Sequence, residues 1–316
     1  MYSMEQLLQK AVLQVSDFGG AGEAPLSIEQ VKQFIELMAA EQVMLNDVRT
    51  VTSSSAKWQE SILNFSARIA RGGTEATRLV DADRVKPATG IVELSTVLLR
   101  AEVPVSDEVF EDNVAAGGLA ASLERTIADR FGFDVEDLMV NGDTASADTY
   151  LALLEGWLEQ ARTSGNAVDG STYGQDYQEI FRVLLATMPD RHKRALETEG
   201  RFYVPKRTEE KYRDILASRG TALGDVMLTG KNELTYQGIQ IKGVPSIGVT
   251  AGTPDKSRIL LAHRNNLYAG YHRVMRFETY RDAREGATSF IVTARVDAKI
   301  AVPTATVIAY DVDVEV

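Results

Sequence analysis

The clearest periodicity in the chain is a two-residue alternation from Ser289 to Val302. Phe290, Val292, Ala294, Val296, Ala298, Ile300 and Val302 fall on one face, with Arg295, Asp297 and Lys299 opposite. That pattern predicts a half-buried strand with its charged face toward solvent. Shorter strand-like runs occur at Ile91–Val105, Phe202–Pro205, Gln237–Val249 and Ser257–Ala262. Helical spacing dominates elsewhere. Met4, Leu7, Leu8, Val12 and Leu13 predict a first helix, which Gly19 and Gly20 end. A second opens at Ser27, where Gln30 completes a capping box and Leu26 meets Val31 as a hydrophobic staple. The polar stretch Thr52–Lys57 reads as an extended arm.

A third helix is expected to start at the Ser106 cap, with Asp107 and Glu108 complementing its N-terminal dipole. Gly117 and Gly118 predict a bend in it, and Leu119, Leu123, Ile127 and Phe131 then recur every fourth residue as its buried stripe. Asn141-Gly142-Asp143 is a turn signal. Amphipathic helices are predicted over Tyr150–Ala161, with Leu151, Leu154 and Trp157 on one face, over Tyr177–Met188, and over Glu209–Ser218, the last opened by Thr208. The Gly-, Ser-, Asn- and Asp-rich stretch Thr163–Gln175 reads as a domain boundary. Together these elements give an α+β fold class.

Arg68–Pro87 fits neither period. It holds Gly72 and Gly73, few large apolar residues, and five basic side chains (Arg68, Arg71, Arg78, Arg84, Lys86) against three acidic ones. The expected form is a projecting hairpin whose tip has no core of its own, a type of loop that is usually functional or held by a partner.

Composition narrows the function. The 316 residues carry 34 Lys+Arg against 45 Asp+Glu, a net charge of −11, with 44% hydrophobic residues. A substantial core is therefore feasible, whereas general nucleic-acid binding, which needs clustered cations, is disfavoured. Nine acidic and two basic residues lie between positions 107 and 137. The chain has no cysteine and three scattered histidines, His192, His263 and His272. Disulfides, thiolate metal sites and cysteine nucleophiles are thereby excluded. Met1–Phe18 lacks a basic segment followed by an apolar one, and no run reaches the roughly 18 apolar residues of a spanning helix. Gly224–Asn232 imitates a phosphate loop, but five residues separate its glycines and Asn232 stands where Ser or Thr would hold magnesium. No catalytic, cofactor-binding or metal-binding residue is assigned.

The order of these features carries a resemblance. A basic extended loop is followed by STVLLRAEVPVSDEVFED and by LERTIADRFGFDVEDLMVNGDT. A mixed region with RFYVPKRTEEKYRDIL and YQGIQIKGVPSIGV comes next, and the chain closes on a segment containing Arg295, Asp297 and Pro303. Over about residues 47–316 the chain resembles the major capsid proteins of tailed double-stranded-DNA bacteriophages, the Hong Kong 97 type capsid fold. The resemblance implies an N-terminal helical extension at 1–46, an N-terminal arm at 47–64 and an E-loop at 65–102. It implies a peripheral domain with a long spine helix at 103–164, an axial domain at 165–270, and a return to the peripheral domain at 271–316.

Its functional implication is a non-enzymatic virion protein that self-assembles as hexamers and pentamers in the host bacterial cytoplasm. The icosahedral shell would enclose double-stranded DNA without reading its sequence and without a membrane. A scaffolding protein, a portal and a decoration protein are the implied partners. Arg71, Arg78, Arg84 and Lys86 would grip a neighbouring subunit. Asp107, Glu108, Glu111, Asp112, Glu124 and Asp129 would turn the spine helix's charge toward packaged DNA. An encapsulin-like nanocompartment shell subunit is the alternative within the same fold, and a mixed α/β enzyme the alternative outside it. Residues 1–46 would form a helical arm, a short internal scaffold or a scaffold contact. Some family members crosslink an E-loop lysine to an asparagine near the chain end. Here Lys86 is the only lysine between 65 and 102, and no asparagine follows Asn266. Particles of this chain heated in SDS are therefore expected to run as monomer on a gel, with no covalent ladder.

Overall fold

The alternating segment forms the longest strand among the described residues, and the other elements are placed around it. The computed structural model describes residues 42–53, 57–64, 88–106, 119–218, 233–250, 254–272, 276–284 and 286–314, with isolated positions 55, 69, 70, 72, 78 and 84. The two N-terminal helices and the Gly224–Asn232 loop lie outside the described residues. In chain order the elements begin with β1 (Arg49–Ser53), β2 (Lys57–Asn64), β3 (Ala88–Ser95), β4 (Val97–Ser106), α1 (Leu119–Asn141), α2 (Trp157–Ser164) and β5 (Asn166–Asp169). Next come α3 (Tyr177–Thr187), α4 (Asp190–Glu199), β6 (Gly200–Pro205), α5 (Lys206–Ala217), β7 (Thr235–Tyr236) and β8 (Ile239–Val244). The chain ends with β9 (Asp255–His263), β10 (Leu267–His272), β11 (Arg276–Asp282), β12 (Ala287–Ile300) and β13 (Thr306–Val314).

Three sheets result. In the first, β12 runs antiparallel to β10 and β11 on one edge and to β4 on the other, while β1 adds to β10 in parallel. Phe290, Val292, Ala294, Val296, Ala298 and Ile300 of β12 are all buried, and α1 and α2 cover this face with Phe131, Val135, Leu138 and Trp157. The second sheet has the order β5-β13-β9-β6-β8-β7. Its separate core forms around Phe181 of α3, whose ring lies 4.8 Å from Phe202 and edge-on to Tyr212 at 5.3 Å. The third is a two-stranded antiparallel ribbon of β2 and β3. Two helix-covered cores and a ribbon without a core agree with the α+β expectation.

Several boundaries differ from those expected. The Ile91–Val105 run divides at Thr96 into β3 and β4, which pair with different partners. The expected Tyr150–Ala161 helix becomes a 3-10 turn at Leu151–Leu153 and then α2. The cause is a backbone contact in which Gly156 N–H donates to the Gly142 carbonyl at 2.8 Å. A Cβ on Gly156 would come 2.7 Å from Gly142 N, so no side chain fits between the two segments. Helix α5 opens at Pro205 rather than Thr208, because proline's φ of −57° with ψ of 148° suits the position before the first turn, and Thr208 is buried inside the helix. Ser106 is the last residue of β4, and residues 107–118, where its capped helix would begin, lie outside the described residues. The Thr163–Gln175 stretch contains β5 and a 3-10 turn packed beside β13. Asp297, expected at the surface, is only 4% exposed.

Polar side chains complete the backbone pairing where regular strands stop. Gln160 Nε2 donates to Ala298 O at 2.7 Å, and its Oε1 accepts from Ile300 N–H at 3.1 Å. Asn266 does the same for Val302, with Nδ2 donating to the carbonyl and Oδ1 accepting the N–H at 2.9 and 2.8 Å. Glu136, 1% exposed on α1, accepts Met44 and Leu45 N–H on Oε2 at 3.0 and 3.2 Å, and Ser246 hydroxyl on Oε1 at 2.6 Å. It thereby secures the turn at residues 42–48, whose Met44 and Leu45 are buried in the first core.

Gln160→Leu leaves one carbonyl and one N–H of β12 buried without partners, and is expected to cost about 2–4 kcal/mol in urea unfolding. Glu136→Ala is expected to release residues 42–48, so that trypsin cuts at Arg49 severalfold faster while α1 remains protected.

Candidate assembly surface

The ribbon's two faces differ. Val92 and Leu94 alternate onto the face turned toward the body and are buried, whereas Ile91 and Glu93 on the other face are exposed. Leu94, 2% exposed, sits against Gly270 of β10, where a Cβ would lie 3.1 Å from its Cδ2. On the paired strand, Glu60 lies 3.3 Å from Arg49 of β1. Arg49 in turn donates to Tyr268 hydroxyl at 2.7 Å, its guanidinium 4.7 Å from the ring centroid. Both ends of the Arg49–Glu60 pair reach solvent, so it contributes about 0–1 kcal/mol. The apolar Leu94 seat carries more of the attachment than this ion pair does.

Where β3 leaves β12, Asp297 fills the gap. Its Oδ2 accepts Ser95 N–H at 2.6 Å and its Oδ1 accepts Ala298 N–H at 2.8 Å. Burial pushes this carboxyl above the ordinary aspartate range, and the two donated hydrogen bonds, with nearby Lys299, offset part of that shift.

Of the four expected contact cations, Arg78 and Arg84 are exposed. Arg71 and Lys86 lie outside the described residues. Ile69, Ala70 and Gly72 near the ribbon's end are also exposed, so every described position between β2 and β3 faces solvent. The acidic helix is less uniform than its composition suggested. Asp107, Glu108, Glu111 and Asp112 lie outside the described residues, as does the side chain of Glu124 on α1. Asp129 is half-buried, and its backbone carbonyl accepts from Gln42 Nε2 at 3.5 Å. Asp134 pairs with the exposed Arg130 at 3.0 Å, and Asp137 accepts from Asn141 Nδ2 at 2.7 Å. Glu136 faces the core. Within α1 the exposed positions therefore include cations, Arg125 and Arg130, beside half-buried carboxylates.

Asp297, Glu136 and Gln160 were not picked out by sequence reasoning. Glu136 stands beside a second acid, Asp137, in the stretch Val135–Val140, so nothing local marked it as the inward one. Asp297 and Gln160 occupy polar positions of regular patterns and carry no mark either. No group of three or more His, Asp or Glu suited to a metal ion occurs among the described residues. His263 faces Glu199 at 3.4 Å, and burial holds its imidazole below the usual histidine range. No helix among the described residues is long and apolar enough to cross a membrane.

Comparison with known proteins gives this arrangement its family. Residues 25–310 match the model of the phage capsid family. The chain is 30% identical over 299 residues to YqbE of Bacillus subtilis (strain 168), whose name assigns it to a prophage capsid, and the match covers 93% of this chain and 94% of YqbE. The fold is similar to that of a subunit in the satellite phage P4 procapsid, which includes a size determination protein. That likeness has a TM-score of 0.67 at 12% identity and covers 98% of both chains. It is also similar to a chain of Gordonia phage Cozz, with a TM-score of 0.60 at 13% identity over 85% of this chain and 86% of that one. With its ribbon, its helix-backed first sheet and its second, mixed sheet, the chain belongs to the phage capsid family and has the Hong Kong 97 type fold, and its role is that of a structural shell protein.

Proposed function

We propose that copies of this chain associate as hexamers and pentamers and close into an icosahedral shell around double-stranded DNA, assembled in the host bacterial cytoplasm. The observation that carries this reading is the β2–β3 ribbon. Its root is fastened to the body, while the described positions beyond the root are exposed and include Arg78 and Arg84. Exposed side chains so placed can lie against a neighbouring copy. Each exposed ion pair contributes about 0–1 kcal/mol, but a closed shell repeats the contact at every subunit, and avidity converts weak contacts into a stable particle.

In this reading residues 47–64 act as the N-terminal arm and 65–102 as the E-loop. The spine helix belongs to a peripheral domain at 103–164, and an axial domain at 165–270 points toward capsomer centres. Residues 271–316 return to the peripheral domain, where β12 pairs with β4. The acidic residues from Asp107 to Asp129 would face the genome and discourage its adhesion. Residues 1–46 would serve as a helical arm, a short internal scaffold or a contact with scaffolding protein, and the shell would also meet a portal and a decoration protein.

Deleting residues 72–86 is expected to leave a soluble subunit that forms few closed shells in negative-stain microscopy. Full-length shells recovered from an induced host are expected to protect DNA from nuclease. Normal shells from the deletion would overturn the ribbon's role, and shells filled with protein and free of DNA would point instead to a cargo compartment.

A further inference from the structure

We propose that Asp297 is the positioning residue of the β2–β3 ribbon, its carboxylate standing in for the backbone ladder that would otherwise fix the ribbon's direction. The register supplies the argument. β4 pairs with β12 as far as Val97 opposite Val296. Continued by two residues, the ladder would bring Ser95 opposite Ala298 as a pair exchanging two N–H to carbonyl bonds. Neither of those bonds is the one made. Ser95 N–H and Ala298 N–H both donate to Asp297, one to each carboxylate oxygen, and the Ala298 carbonyl accepts from Gln160 instead. One side chain thus takes both donors of the missing pair and lets β3 turn away to join β2.

A ladder constrains a strand along its length, whereas a carboxylate holds it at one point. The ribbon's direction then depends on that point and on the seat of Leu94 against Gly270. An amide at position 297 cannot replace the carboxylate, because it offers one acceptor oxygen and sets an NH2 against the other N–H donor. The consequence for assembly rests on the reading that the ribbon reaches a neighbouring copy. In that case Asp297 governs the angle at which the ribbon is presented.

The absence of cysteine allows a direct test on the full chain. Spin labels on Ser61→Cys of the ribbon and Ala283→Cys of the body, both exposed, report one distance. Diluting the labelled chain into unlabelled chain restricts the reading to a single molecule. Asp297→Asn is expected to broaden the distance distribution about two-fold and to speed amide exchange at Leu94, Ser95 and Ala298 about ten-fold, with β11 and the other β12 amides unchanged. Ser95→Pro removes the donor and leaves the buried carboxylate intact, so it is expected to broaden the distribution in the same way. It decides the matter alone if Asp297→Asn does not fold. An unchanged distribution in Ser95→Pro, or exchange that rises equally throughout β12, would overturn the proposal. The distance is read within one chain whether or not shells form, so a failure of the assembly reading gives a different result from a failure of this one.

Discussion

The backbone of β12 must be hydrogen-bonded on both edges over its whole length, and one of its neighbours leaves before the strand ends. The rest of the molecule is arranged around that constraint. Buried N–H and carbonyl groups left unpaired cost about 1–3 kcal/mol each, so a strand in the middle of a covered sheet cannot simply lose its partner. Here β4 serves one edge as far as Val296, β10 and β11 serve the other, and side chains take over where β3 departs. Asp297 receives two N–H groups, Gln160 supplies an amide that acts like a short length of strand, and Asn266 repeats the device at Val302. The projecting ribbon exists because these substitutions make its departure tolerable.

The same economy links the outer elements to the core. Glu136 would be an expense on the buried side of a helix if it stood alone. It accepts two backbone N–H groups from the 42–48 turn and a hydroxyl from Ser246, which together satisfy a buried carboxylate. Asp47, at the end of that turn, accepts from Tyr203 hydroxyl at 2.9 Å and lies 3.1 Å from Lys242 Nζ. The entry to β1 is therefore tied to α1 by a helix carboxylate and to the second sheet by a hydrogen bond and an ion pair. Charged residues here act as connectors between elements, their carboxylates accepting donors that the strands and turns leave free.

What the sequence made legible follows from how local each signal is. The alternation along β12 and the helical stripe at Leu123, Ile127 and Phe131 survive because one buried face forces a period, whatever the partner. The family resemblance was legible from the order of segments and agrees with the match over residues 25–310. The break at Thr96 and the division of the Tyr150–Ala161 helix were not legible. The first is decided by a residue 202 positions from Ser95, the second by a backbone meeting a backbone at Gly142 and Gly156. At the candidate site the sequence marked Arg78 and Arg84 as surface cations through composition alone. Asp297 read as an ordinary outward charge, since no local pattern reveals that the adjoining strand has turned aside.

The pairing of β4 with β12 joins Val97 to Val296 and Ser106 to Ala287, positions close to two hundred residues apart. Such a ladder cannot form until β12 itself has left the ribosome, and closing so long a loop makes folding slow compared with local helices. The ribbon's mooring at Asp297 is equally late. A polypeptide released early would lack the strand on which both depend, and so could not present a fastened ribbon. The fastened ribbon is therefore a late product of folding, made only once two distant stretches of the chain have met.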